Sequence, residues 1–168
     1  MSASKILALT ALFLTPAFAQ TEWKEFTYVE GNFRILVPET PQKQIVAERN
    51  LHQFSATLGA ESYGLSYADF PPSTDWENTV NSERDSITNN LSGSVVDEKR
   101  TSLEGYPGKW TRFVGQNTNG ELAIYFVESR VYVLHAFAPK SASRPENFST
   151  FLNSFRLLSK PKGARIKP

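Results

Sequence analysis

The chain has 168 residues, no cysteine and only two histidines. Without cysteine there is no disulfide to brace the fold and no thiol to carry a lipid. Zinc sites usually combine His and Cys at short spacing, whereas His52 and His135 stand 83 positions apart, so zinc is not expected. There is no G-x-S-x-G elbow, which leaves the serines as surface and turn residues, and no Walker-type or dinucleotide glycine loop. Calcium loops of the D-x-D-x-D-G type are also missing; Asp97-Glu98, flanked by Lys99-Arg100, reads as a solvated, self-neutralising edge. Glu25, Asp69, Asp75 and Glu104 are candidates for a glycoside-cleaving pair, but nothing in their spacing selects two of them. The expectation is a protein that is not an enzyme, with no cofactor and no metal. Neither a solenoid repeat nor a shift of composition divides the chain, so one domain is expected.

What is present begins with an export signal. Lys5, the apolar run Ile6 to Leu14, Pro16 and the small-residue pattern Ala17-Phe18-Ala19 follow the order of a secretory signal peptide over residues 1–19, cut before Gln20. Its apolar core is too short for a permanent span, which takes roughly 20 apolar residues, and no second stretch of spanning length follows. The mature chain is therefore expected to be soluble and exported, to the periplasm, a thylakoid lumen or the extracellular space. At that length a single core suffices, because a domain of about 150 residues buries roughly 70% of its unfolded surface.

Charge is unevenly spread. Residues 20–159 carry thirteen basic and seventeen acidic groups, whereas Lys160, Lys162, Arg165 and Lys167 crowd the last nine residues with no anion. Two prolines, a glycine, an alanine and a single large apolar residue, Ile166, give that segment too little to bury, so residues 160–168 read as a disordered basic tail. Contact with an anionic surface or an acidic partner is its functional reading, and a solvated, idle end is its plain one. An acidic body argues against nucleic acid as a partner.

Between these ends, residues 20–159 predict a single α+β domain. Trp23 to Val29 and Phe33 to Val37 flank Glu30-Gly31-Asn32 as a β-hairpin. Extended stretches at Gln44 to Glu48 and His52 to Leu58 follow, then a strand in which Tyr63, Leu65 and Tyr67 alternate with small or polar residues. Thr74-Asp75-Trp76-Glu77 reads as a capping box with Thr74 as the cap. It opens a helix to about Leu91, with Trp76, Val80, Ile87 and Leu91 on one stripe and Gly93 as its terminator. A meander is then expected: Ser94 to Leu103, a type II turn at Tyr106-Pro107-Gly108-Lys109, Lys109 to Gln116, a turn at Asn119-Gly120, Glu121 to Glu128, and Val131 to Ala138. Ser143 and Pro145 open a last helix whose Phe148, Phe151, Leu152 and Phe155 recur at i, i+3, i+4 and i+7. Several antiparallel strands, interrupted by one helix and closed by another, predict helices packed on an antiparallel β-sheet.

Aromatic residues make up 12% of the chain, with Tyr28, Tyr63, Tyr67, Tyr125 and Tyr132 in predicted strands. Such rings fill cores, and they also meet partners because tyrosine joins a broad apolar face to a polar tip. Tyr63, Tyr67, Trp76, Tyr106 and Trp110, with Lys160, Lys162, Arg165 and Lys167, are the candidate interaction surface. His135 shares a strand face with Val131, Val133 and Phe137 and reads as a half-buried, hydrogen-bonded sheet residue; His52 lies in no recognisable motif either.

Phe33-Arg34-Ile35-Leu36-Val37-Pro38 after a Gly-Asn turn, the Tyr-x-Leu-x-Tyr strand before Asp69-Phe70-Pro71, Gly105-Tyr106-Pro107-Gly108 and Phe151-Leu152-Asn153-Ser154-Phe155-Arg156 together resemble small exported domains of the PsbP-like α/β/α sandwich type. The resemblance spans residues 22–158 and rests on turns, strand ends and a helix face. It implies a helix-covered sheet and a non-enzymatic binding or assembly module whose protein partner is unknown and belongs to a membrane complex. The family's best-known member is an extrinsic, lumenal subunit of photosystem II. Photosystem-type cyanobacterial members carry a lipidated cysteine that this chain lacks, so it resembles the uncharacterised bacterial members more closely. The alternative is a small-ligand binder or hydrolase with a pocket at one end of the sheet.

Overall fold

A computed structural model describes residues 22–142 and 145–159. The signal segment 1–19, the basic segment 160–168 and Ser143 lie outside the described residues. The chain opens with β1 (Lys24–Tyr28) and β2 (Phe33–Val37), the expected hairpin. It continues through β3 (Gln42–Val46), β4 (Leu51–Leu58) and β5 (Glu61–Asp69) to the helix α1 (Trp76–Asn90). Then come β6 (Ser94–Leu103), β7 (Tyr106–Val114), β8 (Thr118–Val127) and β9 (Arg130–Pro139), followed by α2 (Asn147–Ser154) and the short β10 (Arg156–Leu157).

Seven strands form one antiparallel sheet in the order β3-β4-β5-β9-β8-β7-β6. A second sheet, β1-β2-β10, joins the first and last of the described strands. This second sheet and α2 cover one face of the large sheet, and α1 covers part of the other. The layering is α+β with helices on an antiparallel sheet, as the periodicities predict, but the first hairpin stands apart from the main sheet as a layer of its own.

Alternation explains the cores. Phe54 and Ala56 of β4, Tyr63, Leu65 and Tyr67 of β5, and Tyr132, Leu134 and Ala136 of β9 point toward Phe33, Ile35, Phe151 and Phe155. On the opposite face Leu122, Ile124 and Phe126 of β8 and Val131 and Val133 of β9 meet Val80 of α1, with Trp76, Ile87 and Leu91 packed around them.

Three local expectations need correction. The helix cap is Asp75, whose side chain accepts from the Asn78 N–H at 2.7 Å; Glu77 instead pairs with Arg100 at 2.7 Å. At the other end Ser92, at φ 48°, takes the left-handed position, and the Gly93 N–H donates to the Thr88 carbonyl. Gly93 sits one place further on because a side chain there would press on Phe113. Both predicted meander turns are also displaced. The chain reverses at Glu104-Gly105, both at positive φ, and at Gln116-Asn117, while Gly108 and Gly120 lie inside strands. Each glycine there makes room: a methyl group would strike Tyr125 at Gly108, and both Phe113 and Phe137 at Gly120.

Cap position separates two substitutions. Asp75→Ala should lower unfolding stability by about 1 kcal/mol, and Thr74→Ala should stay within about 0.5 kcal/mol of the parent in urea denaturation.

Candidate functional site

The five aromatic candidates divide by burial. Tyr63, Tyr67 and Tyr106 lie in the core and present no contact surface, because their strand positions face the second sheet and α2. Tyr63 packs edge-on against Trp23 and its hydroxyl donates to Glu61. Tyr67 is stacked by His52, with ring centroids 4.6 Å apart, and capped by the Arg130 guanidinium at 4.6 Å. Arg130 in turn donates to both oxygens of Asp69, at 2.6 and 2.9 Å, and that hydrogen-bonded pairing holds the Asp69 carboxyl below its ordinary value. Trp76 is half-buried at the start of α1 beneath Arg100.

Trp110 is the candidate that lines a cleft. It lies on β7, half-buried beside α2, with the Lys99 ammonium 4.8 Å from its ring and its indole N–H donating to Glu121 at 3.1 Å. Glu121 is only 2% exposed. On one side of it Lys99, Trp110, Tyr125, Ser149 and Asn153 enclose about 210 Å³; on the other, Val96, Arg112, Asn119 and Phe148 enclose about 210 Å³ more. The Nε of Arg112 and the Oδ1 of Asn119 are buried without a hydrogen-bond partner. Val95 and Val96 are exposed beside the cleft, where the β6–β7 register shifts by a bulge. Aromatic character marks Trp110 in the sequence but not Glu121, Arg112 or Lys99. Their signal is a weak one, charged residues at positions that alternate onto a core-side face.

Other charged groups are taken up structurally. Beneath α1, Glu98 accepts from Arg84 at 2.5 Å, Lys109 at 3.2 Å and Thr111 at 3.1 Å, while Lys109 also donates to Asn81 at 2.7 Å. The expected solvated edge at Asp97-Glu98 is thus half an interior network. Burial alone would raise the Glu98 carboxyl, but its cationic donors hold it below the ordinary value. The four separate carboxylates do not converge: Glu25 pairs with Arg34, Asp69 with Arg130, Asp75 caps α1, and Glu104 accepts from the Leu157 N–H.

The histidines occupy opposite faces of the large sheet. His52 turns toward Tyr67, its Nδ1 buried without a partner. His135 lies half-buried on the face that α1 partly covers, stacked on Phe137 at 4.5 Å. It makes no hydrogen bond among the described residues, unlike the expectation. Burial pushes its pKa down to about 4.

No protein-family model matches the chain, and no curated protein matches its sequence. Solved structures do match in shape. Cyanobacterial PsbP (CyanoP) from Synechocystis sp. PCC 6803 superposes with a TM-score of 0.60 over 87% of this chain and 98% of that one, at 9% identity. The chain has a PsbP-like fold. At that identity the likeness is one of fold alone. Two further solved structures match this PsbP-like domain less well. A Pseudomonas aeruginosa protein of unknown function, described as a putative regulator, gives a TM-score of 0.42 at 9% identity, over 71% of this chain and 84% of that one. A Bacteroides thetaiotaomicron protein gives 0.43 at 14% identity, over 80% and 48%. No helix among the described residues is long and apolar enough to cross a membrane.

His135 sets a pH dependence. Its native pKa lies below the ordinary 6.5, so under acid the unfolded chain takes the proton first. Stability should fall as pH drops from about 6.5 toward 4, by on the order of 2 kcal/mol, and His135→Gln should flatten that limb. Chemical denaturation at half-unit pH steps reads it out; an unchanged limb in the variant would place the acid sensitivity elsewhere.

Proposed function

We propose that this PsbP-like domain is a non-enzymatic, exported binding module that docks a protein partner on the surface around Trp110. The observation that carries this reading is the composition of that surface: a half-buried Trp, Arg112 with an unpartnered Nε, and Val95 and Val96 exposed on an edge strand. Tryptophan and arginine dominate the energetics of protein contacts, and exposed aliphatics beside them extend the anchor. A non-catalytic role is supported by the dispersal of the acids and bases, since Glu25, Asp69, Asp75 and Glu104 each have a structural partner and the two histidines face opposite ways.

The segment at residues 1–19 supports export. Residues Lys160, Lys162, Arg165 and Lys167 support a supplementary contact with an anionic membrane surface or an acidic subunit, in keeping with attachment to a membrane protein complex. The clefts on either side of Glu121 favour a second reading, capture of a small polar ligand at that end of the sheet.

A photo-crosslinking amino acid placed at position 96 or 110 in the exporting cell should give discrete protein adducts, and one at Gly59, on an open turn with nothing near it, should not. Trp110→Ala should weaken the captured complex by about 2 kcal/mol, roughly thirtyfold. Equal adducts at all three positions would remove this docking surface. Deleting residues 160–168 should lower retention on the membrane fraction and make what remains less salt-sensitive; retention unchanged at low salt would remove the tail contact.

A further inference from the structure

The large sheet is covered unequally. On its α1 side, β8 and β9 present apolar residues to the helix, whereas β3, β4 and β5 present Gln42, Gln44, Gln53, Ser55 and Ser66 to no covering element among the described residues. These five side chains and His135 surround a groove of about 440 Å³, within the range of roughly 300–1,000 Å³ for small-molecule sites. We propose that this groove binds a neutral saccharide.

The first argument is that the groove's polar side chains face solvent and are not tied to one another, which leaves them open to a ligand. Polar side chains elsewhere pair with one another, as Glu98, Arg84, Lys109 and Asn81 do beneath α1. Among the described residues, none of the six side chains around the groove finds a hydrogen-bond partner. Amides offer a donor and an acceptor side by side, and hydroxyls offer both on one atom, which matches the adjacent hydroxyls of a sugar ring.

Charge is the second. Six neutral groups line the groove, the imidazole included, because burial keeps His135 uncharged near neutral pH. Lys43 borders the groove through its backbone, but its ammonium turns to the opposite face, over the Tyr28 ring and toward Glu30. A site without a fixed charge offers nothing to a phosphate or carboxylate and loses nothing against a neutral ligand.

The floor is the third argument. Gly64 lies directly opposite His135 in the β5–β9 register. A side chain at Gly64 would overlap the imidazole, so glycine gives that ring room to lean across β5, while Phe137 stacks on it at 16° with centroids 4.5 Å apart. An imidazole bordered by amides offers a sugar contact for its C–H groups together with hydrogen bonds to its hydroxyls.

Titration of the isotope-labelled protein with cellotriose, maltotriose and triacetylchitotriose, and with trialanine as the non-sugar control, each to about 10 mM, tests this by amide NMR shifts. At least one should move residues 64–66, 53–55 and 133–137 in a saturable way. A Gln53→Ala/Ser66→Ala double substitution on the groove wall should weaken that binding roughly tenfold with the spectrum otherwise folded, and Trp110→Ala should leave it unchanged, which separates this site from the protein-docking surface. Gly64→Ala should abolish it, and the wall variants keep the test decisive if that one fails to fold. Absence of shifts with all three sugars, shifts confined to the Trp110 cleft, or shifts with trialanine alone would overturn the proposal.

Discussion

The β8–β9 hairpin is apolar on both faces, and the remainder of the architecture answers to that. From Gly120 to Val127 every residue of β8 is buried, and β9 is nearly as continuous. A strand pair of this kind has to be covered twice. One cover is α1, held by Val80 and its apolar stripe; the other is α2 with the β1-β2-β10 sheet. Beyond β9, strands β4 and β5 are apolar on the core side only, and the edge strand β3 is almost wholly exposed. The outer face there keeps its water, and the helix stops short of it.

Electrostatics follows the same partition. Where α1 meets β6 and β7, charges are half-buried and satisfied by one another, and they fix the helix at a set height above the sheet without adding much net stability. At the rim near Tyr67, Arg130 bridges layers: it grips Asp69 on one side and donates to the Glu30 carbonyl in the first hairpin turn on the other, at 3.3 Å. Tyr132 repeats the bridge from within, its hydroxyl donating to the Gly31 carbonyl at 2.7 Å.

Much of the fold is legible in residue spacing, because the period-two strands and the Phe148-Phe151-Leu152-Phe155 stripe each have a single way to be buried. Turns are less legible. Gly108 and Gly120 look like reversal points by composition, yet they serve neighbouring aromatic rings across the sheet, a relation invisible until strand order is known. Tyr63, Tyr67 and Tyr106 carry the same composition as a contact surface, and only the arrival of the second sheet decides that they are interior. Asp75 outcompetes Thr74 as cap by one residue, a margin that local chemistry alone does not resolve. The polar groove was spelled out in alternate residues, but a row of glutamines and serines acquires meaning only once Gly64 and His135 are seen to meet there.

The second sheet also ties the two ends of the described chain together. β10 pairs with β2, and Asn32 receives the Leu158 N–H on its carbonyl and the Ser159 N–H on its side chain. A ribosome releases a chain from its N-terminus onward, so β1 and β2 emerge early and then wait. Their third strand is the last of the described strands to be made. Until it arrives the aromatic underside of the main sheet has an incomplete roof, so that layer closes last.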